Sequence, residues 1–194
     1  REKAKAIKCA GNLKQLGTAV SMYTQDYKDW LPLDRLAGEG VGKDGNAMEW
    51  RRELSQYICN ERITGPTDRR IKTGAYACPS FNNKSGDKNW DGGYGWNYTY
   101  LGLEENRAGM ARIKLQQVKK ATATVMIGDV YDNDSTDKLL RIFPPSYQSA
   151  KYISYQHHGS INMAWVDGHV SGEKREKLII GNNGDKDWYY RADK

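Results

Sequence analysis

Apolar residues recur every three or four positions over residues 2–27, at Ile7, Ala10, Leu13, Leu16, Val20, Tyr23 and Tyr27. That spacing draws one stripe along an α-helix, and Lys3, Lys5, Lys8, Lys14 and Gln15 fall mainly away from it. At about 1.5 Å per residue the helix would approach 40 Å, more than a small domain readily covers, which is what a protruding stem would show; an ordinary long helix lying wholly on its own domain is the alternative. The face with Ile7, Leu13, Leu16 and Val20 is expected to pack on a sheet. A shorter helical pattern follows over residues 49–58, with Trp50, Leu54 and Ile58 on one side. The apolar run Val125, Met126, Ile127, bounded by Thr124 and Gly128, predicts a buried strand. Near the C-terminus Ile161, Met163 and Trp165 alternate with Asn162, Ala164 and Val166, a period of two that suits a strand with one face buried more deeply. Asp167-Gly168 has the composition of a two-residue type I′ turn, which would pair Val166 with His169 in a hairpin. One long helix followed by short strands predicts an α+β fold with an antiparallel sheet.

Composition narrows this picture. The chain of 194 residues suffices for one domain with a core, while 20 glycines, 13 tyrosines and 6 tryptophans favour a loop-rich head whose aromatics cover a modest sheet. The net charge of +6 is dispersed, and acidic residues interrupt most of the basic ones, so no nucleic-acid partner is expected. No apolar run approaches the roughly 18 residues that a membrane span needs.

Several segments share an order with a known family. These are the stem with its Cys-x-x-Asn-Leu-Lys-Gln-Leu-Gly core beginning at Cys9, Tyr76 to Ser80 (YACPS), Tyr94 to Leu101 (YGWNYTYL), Val125 to Asp129 (VMIGD), and His157 followed after nine residues by Asp167-Gly168. Together they resemble the prepilin-like proteins of the H-x9-DG processing-associated family, relatives of type II secretion pseudopilins. The resemblance implies a type IV pilin-like fold with a helical stem over residues 1–30 and a globular β-rich head over 31–194. It implies a structural, non-catalytic subunit of a type II secretion or type IV pilus-like filament. Upstream of Arg1 the family carries a basic leader, a processing site and an apolar transmembrane helix. A prepilin peptidase would cut that leader and methylate the new N-terminus. The head would then be extracytoplasmic and anchored at the inner membrane, with other pseudopilin subunits as partners. His157, Asp167 and Gly168 would serve as a structural signature.

Candidate chemistry is sparse. Cys59 and Cys78 flank a polar loop, and a disulfide closing about 20 residues would contribute roughly 3 kcal/mol in an oxidising compartment. Cys9 reads as a small core residue. Zinc is disfavoured because no Cys-x-x-Cys or His-x-x-x-His spacing occurs. For a metallohydrolase the recruits would be His157, His158 and His169 with Asp129 and Asp167, but a straight hairpin keeps them apart unless the chain bends sharply at Gly159. Asp167 is expected to support its turn. No Gly-x-Ser-x-Gly or phosphate-loop motif occurs, so no enzyme activity is expected.

Calcium has some support. Asp87, Asn89 and Asp91 followed by Gly92 match the first half of an EF-hand loop, whereas the twelfth position is Tyr98 instead of Glu. Asp132, Asp134 and Asp137 form a second acidic loop, and Asp185 with Asp187 a third. An extracytoplasmic calcium- or glycan-binding module, the latter using stacked tryptophans, is the alternative to the filament subunit. No cofactor is required by either reading.

Overall fold

The computed structural model describes residues 1–34, 49–63, 74–81, 93–102, 112–130, 141–142, 144–146 and 157–193. Its elements are helix α1 (Glu2–Asp26), helix α2 (Glu49–Cys59), strand β1 (Tyr94–Trp96), the short helix α3 (Tyr98–Leu101), strand β2 (Val125–Asp129), the hairpin of β3 (Ser160–Trp165) and β4 (Val170–Lys174), and helix α4 (Arg175–Ile180). The four strands form one sheet in the order β1-β2-β3-β4, and every neighbouring pair is antiparallel. The fold is α+β, as the pattern of elements predicts.

Helix α1 lies on one face of this sheet. Cys9, Leu13, Leu16, Val20 and Tyr23 are buried there in one cluster with Trp50 and Leu54 of α2, Trp96, Met126, Ala164 and Val166. Ile7 departs from its expected place: it is 74% exposed. Seven residues separate Ile7 from Lys14, about two turns, and the face defined by Cys9, Leu13 and Leu16 leaves Ile7 turned outward. The helix is embedded from Cys9 to Thr24, and only its first two turns lack a fully buried side chain. No helix among the described residues is long and apolar enough to cross a membrane.

The opposite face of the sheet has its own core, in which Val125, Ile161, Met163 and Trp165 meet Leu178 of α4 and Tyr190. Strand β3 is therefore buried on both faces, because the C-terminal segment covers the side away from α1. The hairpin loop is also one residue longer than a two-residue turn. Trp165 N–H donates to His169 O at 2.9 Å and Gly168 N–H donates to Trp165 O at 2.8 Å, while only Gly168 takes a positive φ (85°). This is the three-residue alternative, a tight turn closed by a left-handed glycine. Asp167 does support it, since its Oδ1 accepts the N–H of His169 at 3.1 Å.

Glu53 of α2 fastens the far end of α1. Its carboxylate accepts the Tyr23 hydroxyl (3.0 Å) and the Leu33 N–H (2.9 Å). Burial is the largest influence on this group and lifts its pKa above the ordinary carboxylate value. The folded chain thus keeps the proton to higher pH than the unfolded chain, and stability is lost as pH rises from the unfolded pKa through the folded one. Glu53→Gln removes that titration. In urea unfolding, the midpoint of the variant relative to the parent is expected to improve as pH rises above the ordinary carboxylate range.

Candidate functional site

Four side chains from four separate segments converge beside the start of α1. Cys9 comes from the buried face of the helix, and Cys78 from the turn after the 3-10 segment Gly74–Tyr76. Asp129 is the last residue of β2, and His157 stands just before β3. A tight turn sets His157 in place. His157 and Ser160 exchange both main-chain hydrogen bonds, at 3.3 and 3.1 Å, around His158 (φ 53°) and Gly159 (φ 83°). Two successive positive φ values are the geometry expected at Asp167-Gly168, found instead nine residues earlier. The sharp bend at Gly159 does occur, and it joins His157 to Asp129 without bringing in His158 or His169.

All four residues are buried, and their ligand atoms lie within 4.8 Å of one another. Cys9 Sγ is 3.1 Å from Asp129 Oδ1, His157 Nε2 is 3.3 Å from Asp129 Oδ2, and Cys78 Sγ is 3.5 Å from His157 Nε2. Outer contacts hold these groups in position. The N–H of Asn162 donates to Asp129 Oδ2 at 2.8 Å, and His157 Nδ1 faces Ser80 Oγ at 3.3 Å. Ser80 in turn donates to Glu2 Oε2 at 3.1 Å. Asn12 ties the Cys78 loop to α1 by donating to Ala77 O at 2.8 Å, and Tyr94 donates to Cys9 O at 3.3 Å.

The electrostatics follow from this packing. Interaction with Cys78, then burial and the nearby Asp129 carboxylate, push the Cys9 pKa up, while the interaction with Cys9 holds Cys78 below the usual thiol value. The hydrogen bond that His157 donates to Asp129 is the largest influence on its pKa and raises it.

Nucleophilic catalysis of the Cys-His-Asp kind does not fit. A relay needs the acid on the ring nitrogen opposite the nucleophile, whereas Cys78 and Asp129 both face Nε2 and Nδ1 is turned to Ser80. The four ligand atoms lie close enough together to hold a metal ion.

The other sequence candidates are dispersed. All three cysteines carry thiols. The expected Cys59–Cys78 bridge is therefore not formed: Cys59 is half-buried at the end of α2, while Cys78 turns to Cys9 and His157. Asp167 and Gly168 sit at the hairpin tip, where Lys14 of α1 donates to Gly168 O at 2.9 Å. Both ends of the His157-to-Gly168 segment therefore lie against α1. His169 Nδ1 is 2.6 Å from Asp167 Oδ1. Asp87, Asn89 and Asp91, with Asp132, Asp134 and Asp137, lie outside the described residues. Asp187 is buried and accepts the Tyr100 hydroxyl (2.8 Å) and the Ser146 N–H (2.9 Å), so this acidic residue is used as a hydrogen-bond hub. Trp50 and Trp96 stack at 6.3 Å, but both are fully buried, so this pair belongs to the core and offers no platform to a glycan.

Comparison of the chain with protein-family models, with curated proteins and with solved structures finds no match in any of the three.

Proposed function

We propose that this chain is the stem and head of a pseudopilin-like subunit of a type II secretion or type IV pilus-like filament, with a structural and non-catalytic role. The observation that carries the reading is the 25-residue helix α1, laid on an antiparallel sheet with its first two turns outside the core and Ile7 exposed there. An apolar side chain at that end, flanked by Lys3, Lys5 and Lys8, suits a stem that continues toward neighbouring stems. The order of the five motif segments supports the same reading, and the clamp of the His157-to-Gly168 segment on α1 gives the signature a mechanical purpose. On this reading the head is extracytoplasmic, the partners are other pseudopilin subunits, and a prepilin peptidase acts upstream of Arg1 on an inner-membrane anchor.

The test places a photo-crosslinking residue at Ile7 of the full reading frame in its native host, with the same residue at exposed Ile180 of α4 as the comparison. A membrane-associated ladder of crosslinked species from position 7, absent from position 180, is the expected result. A monomer from both positions in the soluble fraction, or a reading frame lacking any leader and apolar helix upstream, would refute the proposal.

A further inference from the structure

We infer that Cys9, Cys78, Asp129 and His157 form a four-coordinate structural site for a divalent transition-metal ion, zinc by the chemistry of its donors. This inference stands on the cluster's geometry and does not rest on the filament reading. A tetrahedral zinc with bonds of about 2.3 Å to sulfur and about 2.0 to 2.1 Å to nitrogen or oxygen places neighbouring ligand atoms about 3.3 to 3.8 Å apart. The separations of 3.3 Å (His157 to Asp129) and 3.5 Å (Cys78 to His157) fall at that spacing, the 3.1 Å from Cys9 to Asp129 is a little shorter, and all four ligand atoms lie within 4.8 Å of one another, so small side-chain adjustments bring them to an ion. Two sulfurs, one imidazole and one carboxylate suit zinc and exclude calcium and magnesium, which take oxygen ligands.

The surroundings are those of a metal site. A ligating imidazole donates its other N–H to a fixed acceptor, and His157 Nδ1 meets Ser80, which is itself held by Glu2. A ligating carboxylate is itself hydrogen-bonded, as Asp129 is by the Asn162 N–H. The Ser80 main chain bonds to Cys78, as the residue two beyond a metal-binding cysteine can. Four protein donors in a buried setting leave no coordination position for substrate, which makes the site structural and not catalytic. The ion would join the start of α1 to the loop before β1, the end of β2 and the start of β3. It would thus staple the helix to the sheet at the end where α1 leaves the core.

The experiment uses the full chain, purified under reducing conditions and supplied with zinc chloride, then passed through a desalting column. Elemental analysis should return one zinc per chain. Cobalt in place of zinc should give the intense visible bands of tetrahedral coordination and a thiolate charge-transfer band in the near ultraviolet. Cys78→Ser should weaken zinc binding at least about 100-fold and lower the charge-transfer intensity to about half. His157→Cys should keep tetrahedral binding and raise that intensity to about one and a half times the parent's, a gain that misfolding cannot mimic. Removal of zinc by EDTA should lower Tm by about 5 °C or more, with recovery on zinc but not on calcium. A folded chain that holds less than a tenth of an equivalent of zinc overturns the inference. So does an octahedral cobalt spectrum, or a Cys9–Cys78 disulfide that returns after reduction in the presence of zinc.

Discussion

Gly95→Ala is expected to destabilise the fold by about 3 kcal/mol or more. Gly95 of β1 pairs with Gly128 of β2, and the main chain at residues 141–142 crosses directly over it: Arg141 bridges to Trp96, and Ile142 N–H donates to Trp96 O at 2.9 Å. A Cβ at Gly95 would lie 2.6 Å from Arg141 C, 2.7 Å from Val130 Cγ1 and 2.8 Å from Ile142 N. Two of those three atoms are backbone, so relief requires the crossing segment to lift off the sheet and break its hydrogen bond. Gly128→Ala is the instructive neighbour. Its nearest obstacles are the Sδ and Cε of Met163, a flexible side chain that can re-pack, so its cost should be smaller. Gly11→Ala has the opposite sign: an exposed helical position with nothing within 4 Å should gain roughly 0.5 to 1 kcal/mol. Urea unfolding of the three variants measures the order. A Gly95→Ala midpoint within error of the parent would mean that the crossing segment does not sit on β1.

The elements were legible where their cause is local. The stripe from Leu13 to Tyr23 fixes α1, and the apolar run at Val125 to Ile127 fixes β2, because burial of one face needs only the spacing. The hairpin tip was half legible. Asp-Gly marks a left-handed glycine in both the two-residue and the three-residue loop, so composition alone cannot count the loop residues. Nothing in the alternation of β3 announces that α4 and Tyr190 cover its second face, since that depends on where the C-terminus returns.

The Cys9, Cys78, Asp129 and His157 cluster was illegible by spacing rules for a related reason. Residues 9, 78, 129 and 157 lie on four elements, and Cys-x-x-Cys searches detect only ligands delivered in pairs by one turn. A different signal was present. Cys9, Cys78, Asp129 and His157 each come from a different one of the five motif segments, and the fifth contributes Tyr94, which bonds to the Cys9 carbonyl. The motifs meet in space around one point, although each read alone as a fragment of helix, loop or strand. Near its start α1 is tied to the sheet through the Cys9 cluster and the bond from Asn162 Nδ2 to Ala6 O (3.1 Å), and near its end Tyr23 ties it to Glu53 of α2.

Asp129→Ala is the second large effect, expected to cost about 3 kcal/mol even without metal. The carboxylate is buried and accepts from Asn162 N–H at 2.8 Å and from the Cys9 thiol at 3.1 Å, with His157 Nε2 3.3 Å away. Alanine leaves the Asn162 N–H of a strand buried on both faces without its acceptor, and leaves the imidazole without its counter-charge. Asp129→Asn keeps a carbonyl for that N–H but no anion for His157, so it should cost less, about 1 to 2 kcal/mol. Measuring both variants and the parent by urea unfolding in EDTA isolates this hydrogen-bonding share. Repeating the series with zinc then separates the two roles of the residue. A bound ion adds RT ln(1 + [Zn]/Kd) to the parent and much less to a chain lacking one ligand, so the gap between parent and Asp129→Ala should widen by about 2 kcal/mol or more when free zinc exceeds the parent's Kd a hundredfold. An unchanged gap would reduce Asp129 to a tether between strands. A gap already absent in EDTA would remove even that role.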